Sequence, residues 1–175
     1  MSEDSGSGKN PPDDRRTASE GGPAGAKTGY PLRRASDFGP VLVVDDDPDT
    51  IEILCRMLEL QRFRTLRAKS GAECLRIARC EPVDAILLDV QMPGMTGLAV
   101  AAELAKDVRT KSIPVILLTG RDDHETRAAG MNLGVSEFLT KPVVRSELCA
   151  RVRTQLEGRA LGRQMDAAIE DVPEK

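Results

Sequence analysis

The 175-residue chain carries a formal net charge of -3 and only 2% aromatic residues, which excludes the basic footprint of a nucleic-acid binder and the aromatic platforms that stack bases. Its apolar runs fall far short of the roughly 18 residues a membrane span needs, and the polar, Gly- and Pro-rich N-terminus lacks the apolar segment of a secretory signal. Four cysteines, Cys55, Cys74, Cys80 and Cys149, show no CxxC or metal-type spacing and read as reduced thiols of a cytoplasmic protein.

Residues 1–38 hold no apolar periodicity and are dense in Gly, Ser, Pro and charge of both signs. Such a composition buries too little apolar surface to offset ordering entropy, so a disordered extension is expected, a solvated tail before a docking arm through Arg33-Arg34. From Pro40 the pattern alternates strictly. Strand 1 is expected at Val41–Val44, and helix 1 after Asp47-Pro48, with Ile51, Leu54, Cys55 and Leu58 on one face. Phe63–Ala68 alternates charge with apolar residues, as an edge strand does. Ser70 caps helix 2, which ends before Pro82, and Val83–Leu88 forms strand 3, closing on Asp89. A loop with the Pro93-Gly94 turn signal leads to helix 3 over Leu98–Val108. Strand 4 at Ile113–Leu118, a weakly apolar helix 4 at Asp122–Asn132, strand 5 at Val135–Leu139 and helix 5 at Arg145–Leu156 follow. Leu161, Met165 and Ile169 then keep a four-residue spacing that fits either a prolonged helix 5 or a short appended helix. Five strands alternating with five helices define a parallel sheet covered on both faces, with an expected domain at 39–157 and a short tail at 158–175.

Ligands of open parallel sheets sit beyond the carboxyl ends of the strands. There this sequence places Asp45, Asp46, Asp89, Thr119 and Lys141. Three neighbouring carboxylates repel unless they share a cation, and Mg²⁺ suits hard oxygen donors. A carboxylate is also a nucleophile toward phosphorus, with Asp89 the best candidate, Lys141 neutralising charge and Thr119 donating a hydrogen bond. Gly120 leaves room for the incoming group. Each piece alone has a plainer reading, since a lone Asp ending a strand is usually a turn residue or cap and a lone Lys-Pro is usually solvated surface. Four strand ends filled with complementary chemistry outweigh it.

Residues 40–157 resemble the receiver domain of bacterial two-component response regulators. The resemblance rests on Val-Val-Asp45-Asp46-Asp47, Leu-Leu-Asp89-Val-Gln-Met-Pro-Gly-Met-Thr-Gly97, Leu-Leu-Thr119-Gly120 and Phe138-Leu-Thr-Lys141-Pro142. It implies a flavodoxin-like sheet of order 2-1-3-4-5 and a cis Lys141-Pro142 bond. It makes Asp89 the acceptor of a phosphoryl group from a histidine kinase or histidine phosphotransfer protein. Asp46, Asp89 and the backbone carbonyl of Gln91 would hold Mg²⁺ directly, with Asp45 acting through a metal-bound water. Thr119 and Phe138 would form a coupled switch that alters the helix 4, strand 5, helix 5 face toward a downstream protein. The implied protein is not an enzyme beyond its own phosphorylation and slow dephosphorylation. The chain reads as a stand-alone receiver without direct DNA binding, and the resemblance leaves room for a phosphorylation-linked dimer.

Two rivals stay in view. An aspartyl-phosphate hydrolase of the haloacid dehalogenase type would need Asp-x-Asp-x-Thr/Val after strand 1, where Asp45-Asp46-Asp47-Pro48-Asp49 has an acid instead. A phosphorylation-independent interaction module would have no use for the complete acceptor set. The Asp45, Asp47, Asp49 ladder fails as an EF-hand, with Thr50 at the glycine position. His124 carries no assigned role.

Overall fold

The alternation of apolar runs and amphipathic stretches becomes a five-stranded parallel sheet of order β2-β1-β3-β4-β5. The structure is a computed structural model that describes residues 33–120 and 123–170, so the expected disorder over residues 1–32 and the last five residues lie outside it. The chain divides into two units, Met1–Leu32 and Arg33–Lys175, and the described residues belong to the second. In chain order this unit holds β1 (Val41–Val44), α1 (Pro48–Glu59), β2 (Thr65–Ala68), α2 (Gly71–Cys80), β3 (Ala85–Asp89) and α3 (Gly97–Lys106). Then come β4 (Val115–Thr119), α4 (His124–Asn132), β5 (Glu137–Thr140) and α5 (Arg145–Glu170).

Both sheet faces are covered, which is why the inner strands are uniformly apolar. Leu42, Val44, Ile86, Leu88 and Leu117 pack with Leu75, Ile77, Val100 and Leu104 of α2 and α3. On the other face Val41, Val43, Leu87, Ile116 and Leu118 meet Ile51, Leu54 and Leu58 of α1 and Leu148, Val152 and Leu156 of α5. The helix starts follow their caps. Asp47 accepts from the amides of Asp49 and Thr50 ahead of Pro48, Ser70 from Glu73, and Thr96 from Ala99.

Several boundaries differ from the sequence reading. Phe63, Val83 and Ile113 are buried but precede their strands, because the parallel register begins pairing at Thr65, Ala85 and Val115. β5 starts at Glu137, since Gly134 at φ 77° turns the chain just before it. α3 stops at Lys106, where Asp107 turns extended and Val108 faces solvent. α5 runs unbroken to Glu170, so Leu161, Met165 and Ile169 prolong that helix.

Residues 33–38, expected within the disordered extension, are packed. A 3-10 turn spans Ala35–Asp37, Phe38 is 2% exposed, and guanidiniums of Arg64 and Arg153 hold the carbonyls of Phe38 and Arg33. A single aromatic in a polar stretch leaves no periodic signal, yet it buries as much as a core strand residue. All four cysteines are free, Cys55 and Cys74 within the core.

Candidate functional site

At the carboxyl edge of the sheet, β1 and β3 are neighbours from which the chain winds in opposite directions, so a crevice opens between their ends. Register fills it. Val44 pairs with Leu88, which puts Asp45 beside Asp89. Asp89 pairs with Leu118, and Thr119 with Thr140, so the hydroxyl follows next and Lys141 enters from β5. The Lys141 amide donates to the Thr119 carbonyl at 2.9 Å, and the Lys141-Pro142 bond is cis, as expected.

The side chains converge. Lys141 Nζ lies 2.6 Å from Asp89 Oδ1 and 3.6 Å from Asp45 Oδ2. Asp45, Asp46 and Asp89 each present a carboxylate oxygen within 4.8 Å of the others, with Asp46 exposed and the other two buried. Asp45 Oδ1 accepts from the Asp47 amide at 2.9 Å, while its Oδ2 is buried without a hydrogen-bond partner. Thr119 Oγ1 is likewise buried and unpartnered. Buried polar atoms are nearly always satisfied, so two orphans in one crevice mark a place built for a visitor.

Electrostatics agree. Burial drives the Asp89 carboxyl above the usual carboxylate range, the Lys141 hydrogen bond and charge oppose it, and Asp45 and Asp46 push it up further. For Lys141, burial disfavours the charge, but the hydrogen bond and attraction from Asp89, with Asp45 behind, outweigh burial and hold the ammonium above its ordinary value. The set is three hard anionic oxygens against one cation, which suits a divalent metal with oxygen preference. These carboxylates fit Mg²⁺.

Two parts of the surroundings carry weight that their letters alone do not show. The Gly97 amide donates to the Val90 carbonyl at 2.9 Å, folding the loop after Asp89 back on itself, and a Cβ at Gly97 would meet the Asp89 carbonyl oxygen and Val90 Cα. By contrast a Cβ at Gly120 would meet nothing within 4 Å, so the space beside Thr119 is open. Phe138 is half-buried under α4, where a Cβ at Gly130 would stand 2.9 Å from its ring and Arg127 lies over it at 5.6 Å. Arg127 also donates to Thr140 Oγ1 at 2.6 Å, linking α4 to β5. Sequence spacing offered no signal for this arginine, since it depends on the angle at which α4 crosses β5. Gln91 is exposed and His124 opens α4.

A doubly wound sheet whose crevice holds an acidic trio, a buried hydroxyl and a lysine is the arrangement of a two-component signalling receiver domain. The chain belongs to the response regulator receiver domain family, whose model matches residues 41–153. It is 36% identical to Protein PilH of Pseudomonas aeruginosa over 118 residues, covering 67% of this chain and 98% of PilH. It is 41% identical to the transcriptional regulatory protein PrrA of Mycobacterium tuberculosis over 68% of this chain, but spans only 50% of PrrA. The solved signal receiver domain of a histidine kinase from Syntrophus aciditrophicus superposes with a TM-score of 0.64 at 33% identity, covering 69% of this chain and 91% of that one.

Proposed function

We propose that this chain takes a phosphoryl group from the phosphohistidine of a histidine kinase or histidine phosphotransfer protein onto Asp89, and passes the signal to a protein partner through the α4, β5, α5 face. The observation that carries the reading is the Asp89 carboxylate held 2.6 Å from Lys141 with Asp45 and Asp46 beside it. The Asp89 oxygen forms the new bond to phosphorus, the bond from phosphorus to the donor nitrogen breaks, and the imidazole leaves with its electron pair. Asp45, Asp46, Asp89 and the backbone carbonyl of Gln91 would hold Mg²⁺, which when bound neutralises charge on the transferring group. Lys141 is within reach of a phosphoryl oxygen on Asp89. The unpartnered Thr119 hydroxyl finds its acceptor there, and its movement makes room for Phe138 to turn behind it. The protein's work is then regulation in the cytoplasm rather than turnover of a separate substrate. A family neighbour such as PrrA is named as a transcriptional regulator, whereas the face proposed here would act on a protein.

Incubation with acetyl phosphate and Mg²⁺, followed by intact mass, tests this directly. One added phosphoryl group is expected in the parent and none in Asp89→Asn or without Mg²⁺. If beryllium fluoride with Mg²⁺ also leaves the Thr119 and Phe138 resonances unmoved, the phospho-switch is wrong and a phosphorylation-independent module remains.

A further inference from the structure

Away from the carboxyl edge, a recess of about 480 Å³ opens between the lead-in turn, the C-terminal end of α1 and the middle of α5. Arg34, Ala35, Ser36, Gln61, Arg62 and Arg153 line it. Every polar side chain in that set can donate a hydrogen bond, three are guanidiniums, and none is a carboxylate. Asp37, on the same turn, has its carboxylate engaged by the Arg34 amide at 2.8 Å. A second arginine cluster on the molecule differs on this point: Asp107 pairs with Arg79 and Arg109, and Asp84 with Arg159 and Arg163. That cluster is neutralised from within. The recess is not.

The backbone adds a separate argument. Arg62 stands at φ 66°, in the left-handed region, just past the end of α1, and its amide donates to the Glu59 carbonyl at 2.8 Å. Helices commonly end on such a residue, and glycine is the usual occupant because a Cβ is strained in the left-handed region. An arginine held in this conformation at the mouth of a recess lined by three guanidiniums is local strain beside concentrated positive charge, the pattern expected of a binding position. Arg153 lies 5.3 Å over the Phe63 ring and donates to the Arg33 carbonyl, which holds its guanidinium in place, and among the described residues its other N–H groups have no protein acceptor.

We infer that this recess is a second ligand site, which takes a small molecule bearing a diphosphate through Arg34, Arg62 and Arg153, independently of the acceptor crevice. Three planar guanidiniums match the several oxygens of such a group, and the volume is many times the roughly 30 Å³ of one water. A ligand there would join the lead-in segment to α1 and α5.

The test is a titration of the full chain with inorganic pyrophosphate in EDTA, followed by amide NMR. EDTA keeps metal from recruiting the anion to the carboxylate crevice. Saturable shifts are expected at Ser36, Gln61 and Arg62, with Asp89, Val90 and Gln91 unmoved. Arg62→Gly is the informative variant. It should melt at a higher temperature than the parent, because glycine is at ease at that φ, while binding pyrophosphate about tenfold or more weakly. Arg34→Gln should weaken binding too, and Lys111→Gln, remote from the recess, should not. Equal affinity in Arg62→Gly and the parent, or shifts that never saturate, would overturn the site. Success or failure leaves the reading of Asp89 untouched, since metal is absent throughout.

Discussion

Asp89 is buried against its own charge, and two consequences follow for single residues. Its carboxyl lies above the usual range because burial, Asp45 and Asp46 outweigh Lys141. A carboxyl whose folded value exceeds its unfolded value, about 3.9, binds its proton more tightly in the fold. The associated stability is present below the unfolded value and is lost as pH rises through the folded one. In metal-free solution at pH 7 we therefore expect Asp89→Asn to melt at a higher temperature than the parent, with the gap closing as pH falls toward 4. Melting curves in EDTA at several pH values decide it, and a lower melting temperature for the variant at pH 7 would refute the account. Gly97 poses the opposite problem. Its added Cβ would meet Val90 Cα at 2.8 Å and the Asp89 carbonyl, which are backbone atoms that cannot rotate away. We expect Gly97→Ala to cost about 2–3 kcal/mol and to slow labelling by acetyl phosphate, because relief must displace the acceptor itself. Gly120→Ala should leave the urea midpoint within error, nothing lying within 4 Å of that Cβ.

Among elements, α4 is the outlier. Its one buried residue is Gly130, whereas α1, α2 and α3 each bury four or five residues. The shortage of large apolar letters made it the weakest helix on sequence grounds, and the packing gives that weakness its meaning. An element with few buried contacts opens at low free energy, as a moving part must. Gly130 is small because the Phe138 ring and Leu117 come within about 3.1 Å of where its Cβ would be. Alanine there gains about 1 kcal/mol of helix propensity, yet overpacking against a ring costs about 1–3 kcal/mol. We expect Gly130→Ala to lower the melting temperature, and His124–Asn132 in the parent to exchange amide hydrogens faster than α1 or α3. Exchange in α4 as slow as in α1 would remove the case for it as the mobile part of the face. The acidic trio and Lys141 were legible because strand ends are marked by where apolar runs stop. The Arg127–Phe138 contact was not, since it arises from the crossing of α4 over β5 and no spacing encodes that angle.

At the scale of the whole molecule, alternation alone dictated the layered sheet, and the order of its strands came with the family resemblance. Boundaries were harder, because Phe63, Val83 and Ile113 are as buried as strand residues without joining the ladder. The lead-in turn was missed and the length of α5 left open for a shared reason: both are held by polar ties to distant residues, which leave no local pattern. Asp84 is the centre of one such tie. Its Oδ2 accepts from the Gly39 amide at 2.7 Å ahead of β1, and its Oδ1 lies 2.9 Å from Arg163 and 3.7 Å from Arg159. Arg159 is the more committed of the two arginines: burial first, then Arg163, lowers its guanidinium to about 10, and it donates to the Ser112 carbonyl at 3.2 Å. Beyond it residues 161–169 are exposed on every side, and a free helical segment of that length is marginal in water. The prolongation of α5 thus depends on Asp84. Asp84→Ala leaves a mostly buried guanidinium without its carboxylate and an amide without its acceptor, a loss on the order of 2 kcal/mol. Amide exchange should then accelerate over residues 159–170 while Leu148–Leu156 stays protected by the core, and uniform protection across α5 in the variant would show that the helix stands without this anchor.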